Sequence, residues 1–99
     1  MRLAVVEVEP RRGLVTPLEP GAVIGRERGC DIRVPDPLVS RRHALVWRSG
    51  DGWAIEDLGS HNGLYVNSRR CEGMARLRAG DELRLGATTW IVVPMPRVS

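Results

Sequence analysis

Residues 43–67 read HALVWRSGDGWAIEDLGSHNGLYVN. His43–Arg48 alternates as a strand, with Leu45 and Trp47 on one face and Ala44, Val46 and Arg48 on the other. Trp53–Leu58 repeats the pattern with Trp53, Ile55 and Asp57 on a shared face. Between them, Ser49-Gly50-Asp51-Gly52 predicts a hairpin, Asp51-Gly52 supplying the positive φ that a tight turn demands. Gly59–Gly63 predicts a second sharp turn, in which Asn62-Gly63 adopts left-handed conformations cheaply, and Leu64–Asn67 is short and extended.

The same grammar extends outward. Arg2–Val8 reads as a valine-rich first strand, Leu14–Leu18 as a second, and Ala22–Ile24 as a third ending at Gly25. Pro17 places the second strand at a sheet edge, because proline cannot donate to a ladder. From Arg26 to Ser40 the periodicity disappears apart from an extended Ile32-Arg33-Val34, and the apolar residues of that stretch tether it as a structured loop. One further short strand is expected within Arg69–Leu77, then Glu82–Leu85 and Thr88–Val93, with residues 94–99 a short tail after the prolines. No stretch sustains a 3.6-residue apolar period, and turn signals recur every several residues. An all-β sandwich or barrel follows, its strongly apolar first and last strands paired.

Composition narrows the function classes. Ninety-nine residues make a single domain, 1–99, with one modest core. There is no apolar run long enough for a transmembrane helix, and Glu7 and Glu9 interrupt the N-terminal strand, unlike a signal peptide. A cytoplasmic location and no membrane partner are expected. All fifteen basic residues are arginine, but the net charge is only +3 and acidic residues are interleaved throughout. The four aromatics lie in strand-like runs, which argues against nucleic acid. Cys30 and Cys71 lack CxxC spacing, and their gaps to His43 and His61 are too irregular for paired zinc ligands, so neither metal nor cofactor is expected.

Three polar clusters sit at turns: Gly25-Arg26, Ser40-Arg41-Arg42-His43 and Ser60-His61-Asn62-Gly63. Turns of a β scaffold are where binding groups are displayed. Arginine offers a planar fork for two phosphate oxygens, serine a short fixed donor, and asparagine a donor and acceptor able to pair with a peptide unit. Taken singly, each has a plainer reading. Arg26 could pair with Glu27 or Asp31, Ser40 could cap a turn, and Asn62-Gly63 could be only a hairpin. Ser40, His43 and Asp57 are also the residue types of a hydrolase triad, but no G-x-S-x-G elbow accompanies them, and no enzymatic activity is expected.

In order and register, the blocks Gly25-Arg26, Asp31-Ile32, Asp36, Val39-Ser40-Arg41 and His43-Ala44 resemble the signature of the forkhead-associated (FHA) domain. Asp57-Leu58, Ser60, Asn62-Gly63 and Val66-Asn67 continue it, as do Leu77, Gly80-Asp81, Leu83 and Gly86, giving a motif core of 25–86. The resemblance implies a β-sandwich of about eleven short, mostly antiparallel strands, with loops at one end that bind phosphothreonine in a partner protein. By position, Arg26 and Ser40 match phosphate contacts, Arg41 a contact to phosphate or peptide main chain, and Asn62 the residue holding the peptide backbone. Gly25, His43 and Gly63 match positions that brace the loops. An FHA-like scaffold binding an unphosphorylated partner, or another part of its own protein, is the alternative.

Three positions depart from the pattern. His61 stands where many members carry threonine, serine or another polar residue that reaches the phosphate, so this position either weakens the phosphate contact or replaces it with an ion pair. Leu64 replaces a usual threonine, a change of packing, and Ser68 follows Asn67 where glycine is usual.

Overall fold

The computed structural model describes residues 1–95. Among them are eleven strands: β1 (Leu3–Glu9), β2 (Val15–Pro17), β3 (Val23–Gly25), β4 (Ile32–Arg33), β5 (Ala44–Ser49), β6 (Gly52–Asp57), β7 (Leu64–Val66), β8 (Arg69–Arg70), β9 (Met74–Leu77), β10 (Glu82–Leu85) and β11 (Thr88–Pro94). They form two sheets, ordered β2-β1-β11-β10-β7-β8 and β4-β3-β5-β6-β9. All pairings are antiparallel except β3–β4, where Ile24 lies opposite Ile32. The first and last strands pair, Val5 opposite Val92, and β2 with Pro17 is an edge strand.

Alternation decides which face is buried. In β11, Thr88, Trp90 and Val92 point inward, while Thr89, Ile91 and Val93 are half-buried on the outer face. Across from them, Ala44 and Val46 of β5 and Ile55 of β6 fill the core from the second sheet, leaving Leu45 and Trp47 outward. Leu64, Leu83 and Leu85 complete the layer between the sheets. The strands are short, so loops carry nearly as much chain as the ladders, and most binding candidates lie on three of these loops.

Three sequence expectations require correction. Arg69–Leu77 holds two strands rather than one; β8 closes onto β7 while β9 crosses to the other sheet. The second strand is only Val15–Pro17, because Leu18 turns away to bury its side chain. In the β5–β6 hairpin Ser49 pairs with Gly52, so Gly50-Asp51 makes the turn and Gly50, at φ +60°, supplies the left-handed residue. Of the expected 94–99 tail, residues 96–99 lie outside the described residues, and Pro94 belongs to β11.

The departure at Ser68 has a backbone consequence. Val66 pairs with Arg69, and the intervening Asn67 and Ser68 have φ of 51° and 67°. Asn67 is compensated: its side chain donates to Asp81 Oδ1 at 2.9 Å and accepts from the Glu82 N–H at 2.9 Å. Ser68 is exposed and makes no comparable side-chain bond among the described residues. Ser68→Gly should therefore raise unfolding stability by about 0.5–1 kcal/mol in denaturant titrations; a loss of stability would show that the left-handed turn is not strained at this position.

Candidate functional site

Three loops meet at one end of the sandwich: β3–β4 with Arg26, β4–β5 with Leu38–Arg42, and β6–β7 with Ser60–Gly63. The first two are laced by backbone bonds. The Arg26 N–H donates to Ser40 O at 3.0 Å, and the Glu27 N–H to Arg41 O at 3.2 Å. This approach requires Gly25, since a Cβ there would stand 2.1 Å from Arg41 O. The second and third loops are joined by His43, which is wholly buried. The Ser40 N–H donates to its Nδ1 at 3.0 Å, and its Nε2 lies 2.8 Å from Gly63 O. A carbonyl can only accept, so His43 is the neutral tautomer with its proton on Nε2.

On this frame the polar side chains are only partly engaged. Arg26 Nε donates to Val39 O at 3.0 Å, which orients the guanidinium and leaves its terminal nitrogens without a partner among the described residues. Ser40 Oγ accepts from the His61 N–H at 2.9 Å, leaving its own O–H free to donate. Asn62 Nδ2 donates to Leu38 O at 2.8 Å, which fixes the amide and keeps Oδ1 and one N–H available. A shallow cleft of about 460 Å³ is lined by these three residues with Arg41, Arg42, His61 and the Pro37–Val39 segment. No carboxylate lines it, and among the described residues the only ion pairs are Arg2–Glu19 and Arg11–Glu7, both elsewhere.

The cleft thus brings together Arg26, Ser40, Arg41, His61 and Asn62, with Gly25, His43 and Gly63 behind it. The plainer readings fare less well. Arg26 pairs with neither Glu27 nor Asp31, and the Asp31 carboxylate instead accepts the Val23 N–H at 2.9 Å. The triad geometry is absent too: Asp57 binds Ser60, and His43 is taken up at both nitrogens by backbone.

Two contributors received no site role from the sequence, although Arg42 stands in the second polar cluster. Arg42 lines the cleft beside Arg41, and an aperiodic loop gives no signal of which arginine faces inward. Asp36 appeared only as a letter in a motif, yet it is the buried anchor of the second loop. Its carboxylate accepts the Leu38 N–H at 2.9 Å, the Ala87 N–H at 2.8 Å and the Thr88 hydroxyl at 3.0 Å. Burial alone would push its pKa up, but the three donors outweigh that and hold it below the usual carboxylate value. Leu38, so positioned, carries the carbonyl that holds Asn62.

With this geometry in view, comparison with known proteins is direct. A sequence profile of the FHA domain matches residues 22–86. The chain belongs to the forkhead-associated domain family. An oxoglutarate dehydrogenase inhibitor of Corynebacterium jeikeium is 45% identical over 62 residues, covering 63% of this chain and 42% of the relative. The chain thus spans less than half of that relative's length. Among solved structures, an FHA domain from work on phosphothreonine-dependent FHA interactions superposes with a TM-score of 0.86 at 32% identity, covering 98% of this chain and all of the other. Mycobacterium tuberculosis EmbR, solved with a low-affinity phosphopeptide, gives a TM-score of 0.86 at 28% identity, over 93% of this chain and 24% of EmbR.

Asp36 makes a pH prediction. A carboxylate with a depressed folded pKa stabilises the fold above its unfolded value, and that contribution is lost as pH falls through the folded one. Glu7 behaves alike: burial raises its pKa, but bonds from Arg11 and Trp90 bring it below the ordinary value. Stability should therefore fall as pH drops below about 4, the unfolded carboxylate range. Asp36→Asn should lose about 1–3 kcal/mol at neutral pH, since its amide faces three donors, and should flatten the acid limb. An unchanged acid limb would show that Asp36 is not ionised in the fold.

Proposed function

We propose that this chain is a phosphothreonine-dependent protein-interaction module that recognises a phosphorylated partner at the cleft between Arg26, Ser40 and Asn62. What carries the reading is the unspent donor set: a guanidinium aimed by Val39 O and a hydroxyl whose acceptor side is already filled, beside Arg41 and Arg42. A phosphothreonine brings about −1.5 to −2 charges and three acceptor oxygens at neutral pH, which matches this excess of donors. Arg26 grips the phosphate through its free terminal nitrogens, and Ser40 donates its O–H to another oxygen. Arg41 and Arg42 add charge, and His61 borders the same oxygens from the third loop. Asn62, held through Nδ2, presents its carbonyl oxygen and remaining N–H to the peptide main chain.

Recognition requires little rearrangement, because the donors are positioned by backbone bonds before ligand arrives. The site binds and does no chemistry: its one buried imidazole is committed to Ser40 N and Gly63 O. That EmbR, alike in fold, was solved with a phosphopeptide supports a phosphopeptide-reading role. Two free thiols, Cys30 and Cys71, fit a reducing cytoplasmic setting.

Titration calorimetry against a phosphothreonine peptide library should give micromolar binding, about −8 kcal/mol, with no binding of the threonine counterparts. Arg26→Ala should weaken it about ten- to a hundredfold, the worth of charge-assisted hydrogen bonds. Phosphopeptide binding that survives Arg26→Ala unchanged would place the site elsewhere.

A further inference from the structure

Beyond the cleft, one row of side chains remains without a role in fold or phosphate binding. Tyr65 of β7 pairs across the sheet with Arg70 of β8 on one side and Arg84 of β10 on the other. Directly paired residues share a face, here the outer face of the six-stranded sheet, since Leu64, Leu83 and Leu85 occupy the inner one. The Arg84 guanidinium carbon lies 4.2 Å from the Tyr65 ring centroid. The Arg70 guanidinium rests against Gly63, its Nε 3.2 Å from where a Cβ would stand, with Tyr65 Cε2 3.3 Å from that point. Gly63 is the neighbour of Asn62, so the row begins at the rim of the cleft.

Both arginines are exposed, and neither pairs with a carboxylate among the described residues. Two carboxylates lie along this face and edge, Glu82 two residues before Arg84 on β10 and Glu72 in a groove with Arg69 and Arg70, and neither forms an ion pair with Arg70 or Arg84. A guanidinium stacked on an aromatic face keeps its in-plane N–H groups free while losing little conformational freedom on binding an anion. Arg84, held on the Tyr65 ring, and Arg70, packed beside Gly63, thus place two unpaired cations next to Asn62.

We infer that Arg70 and Arg84, ordered around Tyr65, form a second anionic subsite that reads acidic or phosphorylated residues flanking the phosphothreonine. The inference rests on the phosphothreonine reading and adds partner selectivity to it. Partners would then carry their mark within an acidic or multiply phosphorylated segment, while the cleft alone holds the central phosphate.

The test is calorimetry with one phosphothreonine peptide in three forms: neutral flanks, an aspartate walked through each flanking position, and a second phosphorylated residue at the best of those positions. The aspartate should tighten binding about three- to tenfold at its best position, as expected for two exposed ion pairs, and the second phosphate should do so more strongly. Arg70→Gln with Arg84→Gln should abolish the gain and leave the neutral-flanked peptide within about twofold, whereas the paired lysine variant, which keeps the charge but loses the stacked planar fork, should keep part of it. No gain at any position, or the same gain in the glutamine variant, overturns the inference. So does an equal loss of the neutral-flanked peptide, which would make the pair structural. Failure of the parent chain to bind even the neutral-flanked phosphopeptide overturns the phosphothreonine reading itself, and the inference with it.

Discussion

The buried imidazole of His43 is the constraint on which the binding end depends. Its two nitrogens reach different loops, accepting from the Ser40 N–H and donating to Gly63 O. Only a neutral ring with one donor and one acceptor satisfies both, because protonating Nδ1 would set two N–H groups against each other. The bridge fixes the distance between Ser40 and the Asn62-Gly63 turn. It anchors to the scaffold just before β5, where the His43 N–H donates to Ile24 O at 2.8 Å and the Leu58 N–H to His43 O at 3.0 Å.

Other contacts extend that anchorage in a continuous chain. Asp36 ties the β4–β5 loop to the β10–β11 turn through Ala87 and Thr88, and Leu38 passes the constraint to Asn62. At the far side, Gly25 permits the β3–β4 loop to lie against Arg41, bringing Arg26 within reach of Val39 O. Buried polar groups thus hold the loops, while the exposed groups are left with surplus donors. That division suits a site made to receive an anion: rigidity comes from pairs satisfied within the protein, and affinity from those completed by the ligand.

Much of this was legible in the chain. Alternation in the 43–58 hairpin and the β-branched run Thr88–Val93 identified those strands, though not which face is buried, and the ordered motif blocks pointed to Arg26, Ser40 and Asn62. What escaped the reading has physical reasons. Arg69–Arg70 and Met74–Leu77 are too short for periodicity to separate, so the crossing between sheets was invisible. The Gly50-Asp51 turn was misplaced by one residue because Gly50 and Gly52 both accept turn geometry, and register alone chose between them. Asp36 and Arg42 lie in a loop without a period, where only tertiary contacts decide which side chain turns inward. The Arg70–Tyr65–Arg84 row depends on cross-strand register, which local sequence does not encode.

If three loops converge on one phosphate, a single ligand must perturb all three together. Titrating the isotope-labelled protein with a phosphothreonine peptide and following backbone amide shifts by NMR tests that most directly. The account predicts that the largest changes fall on Arg26–Glu27, Ser40–Arg42 and Ser60–Gly63, moving with one common dissociation constant. Changes centred on the outer faces of the sheets, or loops responding with separate affinities, would contradict it.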